Sequence, residues 1–508
     1  MSEESPQSTS LDSRSHLGLI AKQFVVYGFG GIAEKLVGFL LLPLYTNYLN
    51  ADAYGVLVRA LLICALVSLL ISGGMHAALI KFYADAPDAR RKVSAYATIL
   101  AFVWVATPFV ALFLASFAPF LSECLLGSRA HANLLYLVIL YLPFGMTNDI
   151  AATCFRAMQR SKSFVVLSFA RFLFSLVLNI VFIVGLGYGI AGVLWSAIIV
   201  NVASALAVQP FLLKGVGFHP DYRKLTPIIR YGLPLMPFTI FEFIMYGANV
   251  FIIGWFCNQV DVGVFSIAYK LGLAVFFFFS LPFDRMWTAY VFDLAKKPEG
   301  PRVWARVLTY LMLAVTAASL VVVLFVPEVL HVMTRKPAYW AAAPLVPVIV
   351  LAQVFYVSTR VFNGGLLVTG ATEILSVFTM VGFVVNILAN LVLIYLFGPM
   401  GAAAAMLVTQ IVMASMSYWV NQRALPVSYE WKRIVVPLLL ACALFALGQL
   451  QGPERLWAAV VVHSLLLAAF PVCLLLMGFF TPGEKAAAKE WIGRAGAWVV
   501  RPLRRSAA

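Results

Sequence analysis

Charge is what this chain has least of. Of its 508 residues only 11% are Asp, Glu, Lys or Arg, 63% are hydrophobic, and the mean hydropathy is +0.94; no water-soluble domain has such a composition. Cysteine is also scarce. Cys64, Cys124, Cys154, Cys257, Cys442 and Cys473 lie scattered in apolar stretches, which excludes a disulfide framework and leaves small buried hydrophobes. There is no Gly-rich phosphate loop, no His, Cys and carboxylate cluster at metal spacing, and no polar segment long enough for a nucleotide-binding domain. ATP hydrolysis is therefore excluded, and neither cofactor nor metal is expected. His76, His331 and His463 stand alone and read as packing residues. The polar opening, 1–16, has no apolar run before a small-residue cleavage site, so it reads as a disordered cytoplasmic tail.

What the chain has is long apolar runs. A spanning helix needs about 20 apolar residues, and fourteen segments supply them: 24–45, 55–80, 94–117, 133–155, 163–186, 189–213, 228–256, 263–284, 303–326, 341–364, 374–397, 400–420, 434–450 and 456–479. The expected fold is an all-α polytopic membrane protein. Loop charges test that count independently, because basic residues collect on the cytoplasmic side. Of the 36 Lys and Arg, 28 fall in the segments that lie inside if the N-terminus is cytoplasmic, and four (Arg129, Arg335, Lys336 and Arg455) fall outside. Both termini are therefore expected inside. The net charge of +15 then reports orientation and contact with anionic membrane lipids, not nucleic acid. Beyond the last span, 482–505 sets Trp491, Ile492, Ala495, Trp498 and Val499 at helical spacing among Lys and Arg, a pattern for an amphipathic helix on the inner leaflet.

The sequence also repeats. At an offset of 208, Glu34 meets Glu242, Asn50 meets Asn258, Gly55 meets Gly263 and Ala60 meets Ala268; at 211, Asn179 meets Asn390, Gly187 meets Gly398 and Ala191 meets Ala402. Six helices separate the copies, so both enter the membrane the same way, and transporters place substrate between such halves. The expected organisation is an N-lobe at 17–213, a cytoplasmic linker at 214–224, a C-lobe at 225–421 and an added helix pair at 434–479.

A charge in the middle of an apolar span is costly enough to mark function. Lys35, Arg59, Arg171 and Lys270 lie within expected helices, opposed by Glu34 and Glu242; Asp149 and Arg360 occupy equivalent places near inner helix ends and cancel. Four bases against two acids leave a cationic cavity suited to an anionic substrate, with Asn179, Asn201, Gln209, Asn386, Asn390 and Gln410 offering hydrogen bonds of the kind sugars accept. Structural readings stand beside this. Arg59 is equally placed to snorkel to the outer headgroups, Glu34 and Lys35 can pair with other helices, Asp149 and Arg360 can face inner water, and Phe276 to Phe279 suits lipid or an isoprenyl chain. Arg171 and Lys270 lie too deep to snorkel comfortably. Lys35 has no counterpart in the second copy, whereas Glu34 has one, so the lysine reads as substrate-facing and the acids as scaffold or coupling groups.

The stretch GGIAEKLVGFLLLPLYTNYLNADAYGVL, followed by an apolar helix ending ISGGMHAALIKFYAD, resembles the start of the polysaccharide transporter family. These are oligosaccharide-lipid flippases of the multidrug, oligosaccharidyl-lipid and polysaccharide exporter superfamily. Its recognisable motif here is Leu49 to Val56. The resemblance implies two six-helix lobes, alternating access, and no enzymatic activity. It implies a substrate of undecaprenyl-diphosphate-linked oligosaccharide repeat units, moved across a bacterial cytoplasmic (inner) membrane for O-antigen, capsule or exopolysaccharide assembly. On that reading Lys35, Arg171, Lys270, Arg59 and Arg360 face the diphosphate and glycan. Glu34, Glu242 and Asp149 hold those bases or couple transport to a proton or sodium ion, and polysaccharide assembly proteins are partners. The alternatives are a lipid-linked peptidoglycan-precursor flippase or a cation-coupled multidrug exporter of the same superfamily. A glycan polymerase or ligase fits less well, since no outer loop is long enough for its catalytic site.

Overall fold

The computed structural model describes residues 39–450 and 456–482, apart from 159, 215–216, 276, 278–282, 284–286, 288–289 and 293. Among them there is no strand. The main helices, in chain order, are α1 (Leu42–Tyr48), α2 (Ala51–Ser72), α3 (Met75–Ala84), α4 (Ala89–Ser116), α5 (Ala132–Ala157), α6 (Ser161–Asn179), α7 (Gly189–Leu212) and α8 (Leu225–Gly232). They continue with α9 (Met236–Phe256), α10 (Gln259–Gly272), α11 (Gly300–Met333), α12 (Leu345–Phe362), α13 (Thr372–Phe397), α14 (Pro399–Ala424), α15 (Trp431–Leu450) and α16 (Leu456–Leu476). Among the described residues, eleven helices are long and apolar enough to cross a membrane, or 12 if α9, bent by 45° between Met245 and Gly247, counts as one span.

Twelve of the fourteen expected spans coincide with these helices. The first, 24–45, lies mostly outside the described residues, together with Glu34 and Lys35, as does the expected amphipathic segment 482–505. The eighth, 263–284, is described as a helix only through Gly272, too short to cross by itself.

Local chemistry places the helix ends. Asn50 precedes α2 with an extended backbone, and α2 stops at Gly73, whose left-handed φ of 46° lets its amide reach the Leu69 carbonyl. Asn258 caps α10 by accepting from the Asp261 amide at 2.9 Å. Asn50 and Asn258 are the repeat partners of the 208 offset, and both begin a helix. Gly398, with φ 57° and Pro399 behind it, reverses the chain between α13 and α14.

The described chain falls into two compact units, one running to Asp293 and resuming at Val329–Leu425, the other formed by Leu294–Glu328 and the residues from Pro426 on. This division differs from the lobes read off the repeat: helices of both expected lobes share the first unit, and most of α11 goes with α15 and α16. Within the first unit α2 crosses α10 at Gly55 and Gly263. A methyl group built on Gly55 would lie 2.1 Å from the Gln259 carbonyl oxygen, and one on Gly263 would lie 2.2 Å from the Ala51 carbonyl oxygen. Ala51 and Gln259 are themselves 208 apart, so the contact is self-complementary, like an isologous dimer interface folded into one chain. Small residues allow this approach where lipid supplies no hydrophobic drive for association.

The C-terminal end of α1 is tied to the chain after α11. Thr46 Oγ1 and Asn47 Nδ2 donate to the Met333 carbonyl at 3.2 and 3.0 Å, Lys336 Nζ donates to Asn50 Oδ1 at 2.7 Å, and the Tyr339 hydroxyl donates to the Leu49 carbonyl at 3.0 Å. The Leu49 to Val56 motif thus carries a hydrogen-bonded strap, a helix start and a helix crossing. In the second unit α11, α15 and α16 pack through Leu320, Leu324, Leu444, Phe470 and Leu474.

Candidate functional site

Two helices with small side chains on one face leave a gap between them. On α2 the lining residues are Leu61, Cys64, Ala65, Ser68, Leu69 and Ser72, and on α5 they are Tyr141, Met146, Asp149 and Ile150. The gap is a cavity of about 310 Å³, lined also by His76 at the start of α3. Tyr141 lies back along its own helix because Gly145 has no side chain: a methyl there would meet the ring at 2.5 Å. Asp149 is exposed toward the cavity. His76 Nδ1 is 3.1 Å from Thr153 Oγ1, which also accepts from Arg156 Nη2 at 2.7 Å. Aromatic face, carboxylate, imidazole and two hydroxyls therefore converge on one small space.

Beside it stands a polar knot that fixes Arg171. The guanidinium Nη2 on α6 donates to Asn201 Oδ1 on α7 at 2.8 Å. Asn201 is held in turn: Asn148 Nδ2 of α5 donates to its carbonyl and Oδ1 at 2.9 and 3.1 Å, and Ser204 Oγ donates to Asn148 Oδ1 at 2.7 Å. Asn148 and Asn201 are buried, so their hydrogen bonds are made in a medium where leaving them unmade is costly. Asn148 of the knot precedes Asp149 of the cavity on α5, which places the two side by side.

The other expected site residues fall elsewhere. Arg59 does not reach headgroups: it is 0% exposed, its three guanidinium nitrogens have no hydrogen-bond partner among the described residues, and it is wedged against Gly254 of α9 with Phe251 5.8 Å away. Lys270 Nζ lies 5.3 Å from the centre of the Tyr54 ring, and the Arg360 guanidinium 4.5 Å from that of Tyr356; both are cation–π distances. Arg360 is half-buried on α12. Glu242 lies on α9. Asn179 donates to Ser196 Oγ at 2.9 Å and accepts from the Tyr45 hydroxyl at 3.1 Å. Asn386 donates to Thr409 Oγ1 at 3.2 Å. These amides tie helices together. Arg171 and Asn201 come together in the knot, and Asp149 adjoins it through Asn148; Arg59, Lys270 and Arg360 make the separate contacts given above.

Sequence reasoning passed over Tyr141, Ser68 and Ser72 and read His76 as a packing residue, although the four-residue spacing of Ser68, Ser72 and His76 was a readable signal. It also passed over Glu328. That carboxylate lies on α11 in the second unit, where Oε1 is 2.9 Å from His463 Nδ1 of α16. Both side chains are buried.

The comparisons agree with this architecture. The family model described as polysaccharide biosynthesis protein matches residues 20–287, more than half of the chain, and a second, MatE, matches 295–392. No curated protein sequence matches the chain. Among solved structures, the lipid II flippase MurJ in an inward closed conformation is similar with a TM-score of 0.73 at 10% identity, covering 89% of this chain and 98% of that one. An inward-facing multidrug resistance MATE family transporter of the MOP superfamily is similar with a TM-score of 0.64 at 14% identity, covering 77% and 94%. At those identities the likeness is one of fold. The matched family model spans nearly all of the repeat's first copy, the Leu49 to Val56 motif and the Arg171 knot, and the chain belongs to the polysaccharide biosynthesis protein family.

Proposed function

We propose that the protein is a flippase that moves undecaprenyl-diphosphate-linked oligosaccharide repeat units from the inner to the outer leaflet of a bacterial cytoplasmic membrane, with both termini inside. The single observation that carries this reading is Arg171: a half-buried guanidinium in an apolar span, steered by the amide of Asn201 and by no carboxylate among the described residues. An arginine that pairs with no carboxylate among the described residues suits an anion, and a diphosphate presents negative charge together with oxygens that match its planar donors. Lys35 and Lys270 serve the same headgroup, and Arg59 and Arg360 add positive field. The lobes of the repeat alternate about the Gly55 and Gly263 crossing, with Glu34, Glu242 or Asp149 coupling the cycle to a proton or sodium ion. The polyprenyl chain stays in the bilayer, and surface-polysaccharide assembly proteins receive the product.

Deletion of the gene followed by analysis of lipid-linked intermediates is the test. Undecaprenyl-diphosphate-linked oligosaccharide should accumulate on the inner leaflet, and Arg171→Glu or Lys270→Glu should fail to relieve it although the protein inserts normally. Export restored by both variants would overturn the assignment. The fold shared with a lipid II flippase supports a second reading, transport of a peptidoglycan precursor; accumulation of that intermediate in place of the oligosaccharide would decide for it.

A further inference from the structure

Asn148 is wholly buried on α5, and both polar atoms of its side chain are committed. Its Nδ2 donates to the Phe144 carbonyl at 2.9 Å, one turn back on its own helix, and across to α7, to the Asn201 carbonyl at 2.9 Å and to Asn201 Oδ1 at 3.1 Å. Its Oδ1 accepts from Ser204 Oγ at 2.7 Å. A backbone carbonyl can only accept, so those of Phe144 and Asn201 fix which way the Asn148 amide is turned. That choice propagates. A nitrogen on Asn148 needs an oxygen opposite it, which turns Asn201 so that its Oδ1 faces α5 and its Nδ2 donates back to the Ala197 carbonyl at 2.7 Å. The same Oδ1 receives Arg171 Nη2 at 2.8 Å. Reversed, the Asn201 amide would set its own N–H groups against a guanidinium that has only donors. The acceptor for Arg171 is thus specified from α5, by a residue that does not itself bond the arginine.

The second copy of the repeat shows what this arrangement adds. At the 211 offset Phe144 meets Phe355 and Asn148 meets Thr359, and the four-residue bond survives, from Thr359 Oγ1 to the Phe355 carbonyl at 3.1 Å. The amide that reaches the next helix does not survive, and neither do the residues it serves: Asn201 corresponds to Val412 and Arg171 to Gly382. A side chain needed only to bond its own helix could be threonine in both copies. The amide is present where the guanidinium is present.

We propose that Asn148 is a positioning residue for anion binding: acting through Asn201, it holds an oxygen against Arg171 and so fixes the guanidinium for the diphosphate of the lipid-linked substrate. The inference rests on the flippase reading and adds to it the group that sets Arg171 in place. A carboxylate at 201 would grip the arginine harder but neutralise it. A neutral amide oxygen takes one N–H of the fork and leaves the charge and the remaining donors for phosphate oxygens. Being neutral, that amide needs its orientation enforced, and the buried chain of Ser204, Asn148 and Asn201 does so, because a reversed amide would leave donors and acceptors unmet in a low-dielectric interior.

The test uses inorganic pyrophosphate as the probe. Thermal unfolding of the purified full-length protein in detergent is followed as pyrophosphate is added at constant ionic strength, and the concentration giving half the maximal rise in melting temperature is read. Asn148→Thr, which installs the second copy's residue, keeps the bond to Phe144 and loses the reach to Asn201. It should raise that concentration by about 10- to 100-fold, the worth of a hydrogen bond to a charged group, and lower export of lipid-linked glycan in cells. Asn148→Ser, with the same bond and no methyl, should do likewise and serves if threonine crowds the site. Added to Arg171→Gln, either change should raise the concentration no further, because both members of the pair serve one interaction. A purely structural Asn148 predicts something else, a lower melting temperature without ligand and an unchanged pyrophosphate concentration. That result, a loss that multiplies with that of Arg171→Gln, or a parent protein that pyrophosphate does not protect would each overturn the positioning role. The flippase reading fails separately: it falls if deletion leaves lipid-linked intermediates evenly distributed, whatever pyrophosphate reports.

Discussion

One methyl group at Gly55 should loosen the crossing of α2 and α10. The added carbon would sit 2.1 Å from the Gln259 carbonyl oxygen, and ordinary van der Waals contact begins at 3.4 Å, so the helices must part by 1.3 Å or bend. The obstacle is backbone held in a helix, which has no rotamer to move to. Overpacking of this kind costs about 1–3 kcal/mol, while alanine over glycine in a helix returns up to about 1 kcal/mol; the clash wins. Thermal unfolding of the purified protein in detergent should show Gly55→Ala and Gly263→Ala destabilised to a similar degree. Because one separation relieves both clashes, the double variant should lose less than the two losses combined, by about 0.5 kcal/mol or more. Gly448→Ala on α15 is the control, since its methyl meets side chains and not backbone: Leu324 and Leu466 at 3.1 and 3.3 Å and the His463 ring at 3.5 Å. A Gly55→Ala protein as stable as this control, or full additivity with Gly263→Ala, would refute the reasoning.

Three further outcomes follow from the buried charges. Glu328→Leu or His463→Leu alone should lower the melting temperature sharply, because breaking a buried pair costs about 3–5 kcal/mol, whereas the double replacement should return near the parent; a double variant no better than either single would show that the pair does more than satisfy itself. Arg59→Met should raise the melting temperature, since a wholly buried guanidinium with no hydrogen-bond partner among the described residues is costly, yet lower export of lipid-linked glycan in cells. A fall in stability would mean that Arg59 has a partner in the resting protein. Asn201→Leu should reduce transport by about 10- to 100-fold with insertion unchanged, because Arg171 loses the oxygen that steers it; normal export would separate the knot from the substrate path.

Hydropathy and loop charge made the helices legible because lipid imposes both patterns on every span. They say nothing about rotation. Lipid-facing and protein-facing sides of a spanning helix are equally apolar, so the sequence left Arg59 free to point at headgroups or inward, and only the packed neighbours Phe251 and Gly254 show where it goes. Glu328 escaped for a different reason: the apolar run was read as ending at 326, while α11 continues to Met333 and carries the carboxylate to His463. His463 itself read as a lone packing residue because its partner stands 135 positions away. The repeat was the more informative signal. It pointed to Gly55 and Gly263 as equivalent, and the fold brings those two equivalents into contact.

That symmetry of backbone is not matched by symmetry of chemistry. Ser175 and Asn179 of α6 recur as Asn386 and Asn390 of α13 at the 211 offset, and both pairs make the same four-residue bond, from Asn179 Nδ2 to the Ser175 carbonyl at 2.7 Å and from Asn390 Nδ2 to the Asn386 carbonyl at 2.7 Å. One turn earlier the copies diverge. Arg171 corresponds to Gly382, and Asn201 to Val412. Where the first copy sets a guanidinium against an amide, the second has a glycine so close to Met413 that a methyl there would lie 2.6 Å from its sulfur. The same position therefore carries a guanidinium bound to an amide in one copy of the repeat and an apolar contact in the other. A symmetric exchange of positions between lobes would present the substrate with a charge on one side and a sealed surface on the other. Placing Arg at 382 would not duplicate the site, since no amide waits for it at 412; Gly382→Arg alone should disrupt packing, and only Gly382→Arg with Val412→Asn could test whether a second anion-facing group fits that fold.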